Sequence, residues 1–96
     1  TDKQYFVYIM TNKHLVFYIG FTSDLIKRCW EHKEGVVDGF SKEFNTHMLV
    51  YYEVFDDPEN AIRREKRLKR WSREWKIEAI NNFNPDWHDL YETIAA

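Results

Sequence analysis

The sequence is poor in cysteine, glycine and proline, with one, three and two residues respectively, and each shortage excludes a class of protein. A single cysteine, Cys29, cannot form an internal disulfide, which excludes a disulfide-stapled secreted domain and favours a reducing cytoplasm. The few glycines and prolines exclude collagen-like and low-complexity chains. The N-terminal residues do not show the basic-then-apolar pattern of a signal peptide. No apolar run approaches the roughly 20 residues of a membrane-spanning helix, so we expect no membrane contact.

Hydrophobic residues make up 44% of the chain and aromatic residues 18%. This is enough for a packed core and excludes an intrinsically disordered chain. With 96 residues, the chain is near the lower end of single-domain size. It contains no internal repeat and no Pro/Gly-rich linker. We therefore predict one domain over residues 1–96.

A net charge of −2 conceals a strongly basic segment. Between Arg63 and Arg70 the chain carries six basic residues and one acid, Glu65. Such a run is either a solvated helix face or a surface that binds the phosphates of a nucleic acid. Charge alone does not choose between the two.

The hydrophobic pattern predicts strands and helices in one domain. Aromatic and β-branched runs around the turn-like Asn12-Lys13-His14 predict a hairpin, and a later run predicts a third strand: residues 5–10, 15–19 and 48–55. Helical spacing and caps predict three helices, at about residues 24–34, 58–71 and 72–82. Residues 35–46 are predicted as a loop. The fold class is thus α/β of the α+β type, in the order ββαβαα, with a small three-stranded, partly antiparallel sheet flanked by helices.

The spacing also predicts which face of each helix is buried. In the first helix, which Thr22 or Ser23 is expected to cap, the apolar face comprises Leu25, Ile26, Cys29 and Trp30. In the third helix it comprises Trp75, Ala79 and Ile80.

Glu65 lies on the apolar stripe of the second helix, three residues from both Ile62 and Leu68. Its six basic neighbours are expected to face water. One interpretation is an ion pair within the helix, with Arg64 or Lys69. The other is a metal ligand or a catalytic acid, because a partly buried carboxylate needs a cation or a proton.

Arg28 and His32 are four residues apart on the first helix and therefore project from the same side. Arginine donors match phosphate oxygens, and histidine titrates near neutrality, although an isolated pair of this kind is typical of a solvated helix face. Tyr8 and Tyr18 lie on strands that the hairpin places side by side. A phenol is a useful base only where a cation stabilises the phenolate. Gly20 would allow backbone or substrate to approach closely.

Together these residues resemble the GIY-YIG endonuclease superfamily, in particular its small stand-alone bacterial single-domain members. Tyr18-Ile19-Gly20 matches the second half of the family signature, and Phe6-Val7-Tyr8 stands where the first half would be. Arg28 matches the family's helix arginine, His32 stands where several members carry histidine, and Glu65 falls in the Arg-Glu-Lys segment of the later helix. The resemblance covers roughly residues 5–80 and implies the family's small α/β fold.

The resemblance implies a metal-dependent endonuclease that hydrolyses phosphodiester bonds in DNA, with a role in repair or recombination. Glu65 would hold Mg²⁺ or Mn²⁺ on the scissile phosphate, and Arg28 would neutralise charge that develops there. Tyr8 would deprotonate or orient the attacking water, while Tyr18 and His32 would position that water or relay its proton.

DNA is expected as the partner rather than RNA, with a protein partner or a homodimer supplying specificity. The residues expected to contact the nucleic acid are Gly20, Arg63, Lys66, Arg67, Lys69 and Arg70.

Two alternative functions assume the same fold without catalysis. One is a nucleic-acid-binding module that uses the basic helix and exposed aromatic residues such as Phe40, Phe44 and Trp71. The other is a protein-interaction domain whose tail, residues 87–96, docks on a partner or completes a dimer.

Overall fold

Three strands form the centre of the molecule, a computed structural model that describes residues 3–36 and 39–96. Strand β1 (Tyr5–Thr11) lies between β2 (Tyr18–Thr22) and β3 (Met48–Phe55). Both pairings are antiparallel, so the sheet predicted as partly antiparallel is antiparallel throughout. The class is α+β, as predicted.

The second strand begins later than the sequence predicted, at Tyr18 instead of residue 15. The Asn12 side chain accepts hydrogen bonds from the backbone amides of His14 and Val16, at 2.9 and 3.2 Å. Leu15 has a φ of 56°, which interrupts extended structure. These features make residues 12–17 a loop. Gly20 therefore lies inside β2, not after it.

Strand β1 is buried on both faces because it is the middle strand of a sheet with helices on each side. Val7 and Ile9 point to one face, and Tyr8 and Met10 point to the other, as the period of two requires. All four are fully buried.

Helices α3 (Pro58–Arg70) and α4 (Arg73–Phe83) cover the Val7 face. Asp57 and Ser72 cap their N-termini. Their buried residues are Ala61, Leu68 and Ile80. The prediction that Trp75 belongs to the core is wrong, because Trp75 is 60% exposed.

Helix α1 (Leu25–Glu34) covers the Tyr8 face. Its N-cap is Asp24, which accepts from the Lys27 amide, so the predicted caps are wrong. The buried residues of the helix are Leu25, Cys29 and His32. The wider apolar face that was predicted is also wrong: Ile26 and Trp30 are 45% and 49% exposed.

Two short helices were not predicted: α2 (Phe40–Phe44) and α5 (Tyr91–Ala95). Helix α2 lies in the segment that was predicted as a loop. Within that segment, residues 37–38 and the side chains of residues 40–41 lie outside the described part of the structure. No helix within the described ranges is both long and apolar enough to span a membrane.

The C-terminal tail packs on the chain's own sheet. Leu90, Tyr91 and Ile94 lie against the Tyr8 face, and the Leu90 amide donates to the Leu49 carbonyl at 2.8 Å. Asp89 accepts from the backbone amides of Leu49 and Tyr91, each at 3.1 Å. Part of the tail that the protein-interaction alternative would dock on a partner is thus packed within the molecule.

Candidate active site

Tyr8 and Gly20 face each other across the β1–β2 pairing. The phenol ring lies over the glycine so closely that a Cβ atom on Gly20 would be 2.4 Å from the Tyr8 hydroxyl oxygen and 2.5 Å from Cζ. No real contact is that short. The close approach predicted at Gly20 is therefore made by the Tyr8 ring, and contact of Gly20 with substrate stays a prediction.

Two tyrosines and a histidine pack their rings together on the α1 side of the sheet. The centroids of Tyr8 and Tyr18 are 6.2 Å apart, and His32 lies 5.7 Å from Tyr8 and 4.8 Å from Tyr18, edge-on to both. Tyr18 pairs with Met10 across the hairpin, which places it diagonally beside Tyr8 on the same face. The prediction that the hairpin brings the two tyrosines together is confirmed.

The hydroxyl oxygen of Tyr8 is 3.0 Å from Nε2 of His32. Tyr8 is fully buried, and His32 is 2% exposed. Burial, and then the neighbouring Arg28, lower the pKa of His32 to about 4. The imidazole is therefore neutral near neutral pH and can accept the phenol proton at Nε2. A solvated helix face is the wrong description of this histidine.

The Arg28 guanidinium interacts with both phenols and forms an ion pair with Glu31, with Nη1 3.1 Å from Oε1. Burial lowers the pKa of Arg28, but the interactions with Tyr8 and Glu31 outweigh burial and raise it. Burial and the neighbouring Tyr18 raise the pKa of Tyr8, while Arg28 lowers it. When the Tyr8 hydroxyl oxygen accepts a hydrogen bond from Arg28, the hydroxyl proton is still available for a hydrogen bond to His32.

The cluster is open to solvent on the side of Arg28. The Arg28 side chain is 37% exposed, and it lines an open cavity of about 340 Å³ at the start of α1 together with Lys27 and Glu31. Tyr18 is half-buried. Arg28 and Tyr18 are thus the outer members of the cluster, and the Tyr8–His32 pair lies behind them.

Glu65 lies apart from these four residues, on the helix that packs against the other face of the sheet. Its side chain is only 16% exposed, and its Oε2 is 3.3 Å from Nζ of Lys69. The helical ion pair considered from the sequence is therefore present, with Lys69 as the partner. Within the described ranges, no group of three or more His, Cys, Asp or Glu side chains could hold a metal ion.

The basic residues of α3 form one exposed surface, which we call the basic face. Its members are Arg63, Lys66, Arg67, Lys69 and Arg70. Arg64 does not belong to it, which corrects the prediction that all six basic side chains face water. Its Nε and Nη2 donate to the Glu53 carboxylate at 2.9 and 3.0 Å, and its guanidinium lies 4.9 Å from the Trp71 ring centroid.

Two partners of basic residues discussed above were not predicted from the sequence. Glu31 could have been found, because it lies three residues after Arg28 on the same helix. Glu53 gave no such signal, because its partner Arg64 is brought to it only by the packing of α3 on β3.

Comparisons with known proteins show the family and the fold. A family model described as the GIY-YIG catalytic domain matches residues 4–78. A UPF0213 protein of Staphylococcus saprophyticus is 35% identical over 80 residues, which is 83% of this chain and 96% of that relative. One of Clostridium perfringens is 31% identical over 77 residues, covering 80% and 83% of the two chains. The solution NMR structure of a UPF0213 protein from Bacillus halodurans superposes with a TM-score of 0.58 at 26% identity, covering 90% of this chain and 92% of that chain.

Proposed function

Because the chain belongs to the GIY-YIG catalytic-domain family, we propose that it is a divalent-metal-dependent endonuclease that hydrolyses phosphodiester bonds in DNA during repair or recombination. The observation that carries this proposal is the cluster on α1 and the hairpin. There a half-exposed arginine contacts two phenols, and one phenol is hydrogen-bonded to a neutral histidine. An ordinary hydrophobic core has no need of such an arrangement.

Arg28 is the residue that would meet the scissile phosphate. Its guanidinium borders the open cavity at the start of α1, and its fork of donors matches phosphate oxygens. The contacts with Tyr8, Tyr18 and Glu31 hold it in place before substrate arrives. A fixed cation stabilises charge that develops in the transition state without reorganising.

Tyr18 and the Tyr8–His32 pair would manage the proton of the attacking water. Tyr18, the outer phenol, would orient the water. Tyr8, which is fully buried, would take up the proton once the bound water reaches its hydroxyl, and it would donate its own proton to Nε2 of His32, so that no free phenolate has to form. The raised pKa of Tyr8 disfavours a free phenolate. The lowered pKa of His32 leaves Nε2 unprotonated near neutral pH and able to accept the phenol proton, and as a weak base His32 would hold that proton only transiently.

The side chains of the protein suit a hard metal cation whose coordination is completed by phosphate oxygens of the substrate. Mg²⁺ is commonly bound by one or two carboxylates together with water and phosphate oxygens. A single half-buried carboxylate, Glu65, fits this mode once Lys69 releases it. Glu65 would hold Mg²⁺ or Mn²⁺, which supplies Lewis-acid stabilisation of the leaving oxygen.

The two parts of the site would meet at the edge strand β2. Helix α1 carries Arg28 on one face of the sheet, and α3 carries Glu65 on the other face, beside β1 and β2. A phosphate bound at this edge would be reached from both helices. The basic face of α3 would bind the neighbouring phosphates of the strand.

A second candidate is a nucleic-acid-binding module without catalysis. The ion pair between Glu65 and Lys69 favours it, because a carboxylate already matched with a cation has less need of a metal. The basic face serves both candidates equally.

Cleavage of a substrate panel separates the two. Labelled single-stranded, duplex, flap and branched DNA, with RNA counterparts, would be incubated with Mg²⁺, with Mn²⁺ or with a chelator. The nuclease predicts cutting of at least one DNA substrate that needs the metal. Binding across the panel without any cutting would favour the module.

A further inference from the structure

Helix α4 and the residue that ends α3 carry side chains that the proposed chemistry does not use. Trp71 caps the C-terminus of α3, and Trp75, Ala79 and Asn82 lie at helical spacing on α4. With Glu78 they line an open concavity of about 320 Å³. This is at the lower end of the range for small-molecule sites, roughly 300–1,000 Å³. Trp75 is 60% exposed, which is unusual for the largest aromatic side chain.

The two indole rings pack edge to face. The ring centroids of Trp71 and Trp75 are 5.9 Å apart, with an interplanar angle of 85°. Arg64 lies over Trp71 at 4.9 Å and is itself fixed by two hydrogen bonds to Glu53. The Trp71 side of the concavity is therefore formed before a ligand binds, which lowers the entropic cost of binding.

The charges around the concavity select the part of a nucleotide that would enter it. The basic face of α3 carries the positive charge that would attract phosphates. Inside the concavity, the Glu78 carboxylate would repel a phosphate, but it can accept a hydrogen bond from an exocyclic amino group. The Asn82 amide can donate to and accept from the edge of a base. The concavity thus suits a flat, neutral ring with polar edges.

We propose that this concavity binds one unstacked nucleobase of a nucleic acid strand whose phosphates lie on the basic face. The base stacks on Trp75, and its edge bonds to Glu78 and Asn82. Stacking on an exposed aromatic side chain is the common way for proteins to bind unpaired bases. This inference rests on the nucleic-acid partner of the proposed function, and it does not depend on cleavage.

The test compares an oligocytidylate with an abasic oligonucleotide of the same length and charge, in a chelator at fixed salt. The wild type is expected to bind the oligocytidylate about tenfold more tightly, as the energy of stacking one base implies. Trp75→Ala is expected to abolish this preference and to leave binding of the abasic strand unchanged. Trp30→Ala, which removes a tryptophan that is 49% exposed on α1, is expected to keep the preference.

A second substitution addresses the base edge. Glu78→Ala is expected to reduce the preference for oligocytidylate over oligothymidylate, because only cytosine offers an amino group. Deoxyribose and ribose versions of the oligocytidylate distinguish DNA from RNA as the source of the base.

Equal affinity of the wild type for the base-containing and abasic strands would overturn the inference, as would failure to bind either strand. An equal loss in Trp75→Ala and Trp30→Ala would also overturn it. If Trp75→Ala instead converts a dimer into a monomer without affecting oligonucleotide binding, the concavity is a protein interface. A preference for the base-containing strand without cleavage of any substrate would support this inference and contradict the proposed nuclease activity.

Discussion

The Tyr8 ring lies directly over the backbone of Gly20, in the space that any larger residue would fill with its Cβ atom. The glycine of the second signature triplet is thus needed for the tyrosine of the first. This contact also places the Tyr8 hydroxyl within hydrogen-bond distance of His32. The hairpin and α1 are therefore joined at the point where the proposed chemistry takes place.

Gly20→Ala is expected to destabilise the protein by about 1–3 kcal/mol, the usual cost of overpacking a core. The added methyl group displaces the Tyr8 ring. Urea unfolding measures the loss, and Tyr8→Leu provides the background in which the same glycine substitution should cost much less. An equal loss in both backgrounds would show that the Tyr8 ring is not the obstacle.

Stability is expected to fall as the pH drops from about 6.5 to about 4, because the unfolded chain protonates His32 in that window and the folded chain does not. The contribution of His32 to this loss is about 3 kcal/mol. His32→Gln should remove it, whereas His14→Gln, at an exposed site, should not. The measurement is the urea midpoint against pH, and parallel curves for wild type and His32→Gln would contradict the account.

Asp89→Ala is expected to lower the free energy of unfolding by about 1–3 kcal/mol, because it leaves the Leu49 amide without its acceptor and Lys33 without its ion pair. Asp86→Ala is the matched control, at a side chain that is 78% exposed. Thermal or urea unfolding checks both. No difference between the two variants would mean that Asp89 does not hold the tail.

Arg67→Ala is expected to weaken binding of duplex DNA and to reduce the slope of log affinity against log salt by about one. Lys13→Ala, at an exposed position in the hairpin loop, should leave the slope unchanged. Titrations at several salt concentrations provide the measurement. A slope that changes as much for Lys13→Ala would assign binding to overall charge and not to the basic face.

The sequence predicted the elements whose signals are local. Asp57 and Ser72 lie at helix starts that caps and spacing predict, and β3 matches its prediction residue for residue. The hairpin alone predicted that Tyr8 and Tyr18 lie side by side. Only the resemblance joined them to Arg28 and His32, whose spacing by itself is typical of a solvated helix face.

The wrong predictions of buried residues and the missed helix α5 have a common cause. Burial depends on packing partners that are far away in the sequence. Trp75 and Trp30 have helical spacing suited to a core, but the sheet beneath them is already covered by smaller residues such as Ile80 and Cys29. Helix α5 is held in position by Asp89 and by contacts with β3. Such contacts leave no pattern in the sequence of the helix itself.

The role of Glu65 in metal-dependent cleavage is tested by comparing Glu65→Gln with wild type on the best-cleaved DNA in saturating Mg²⁺. Glu74→Gln, at an exposed carboxylate on α4, is the control. We predict a loss of cleavage of at least about a hundredfold in Glu65→Gln, as for removal of other groups that stabilise transition-state charge, with DNA affinity retained and full activity in Glu74→Gln. Cleavage by Glu65→Gln at the wild-type rate would contradict the account.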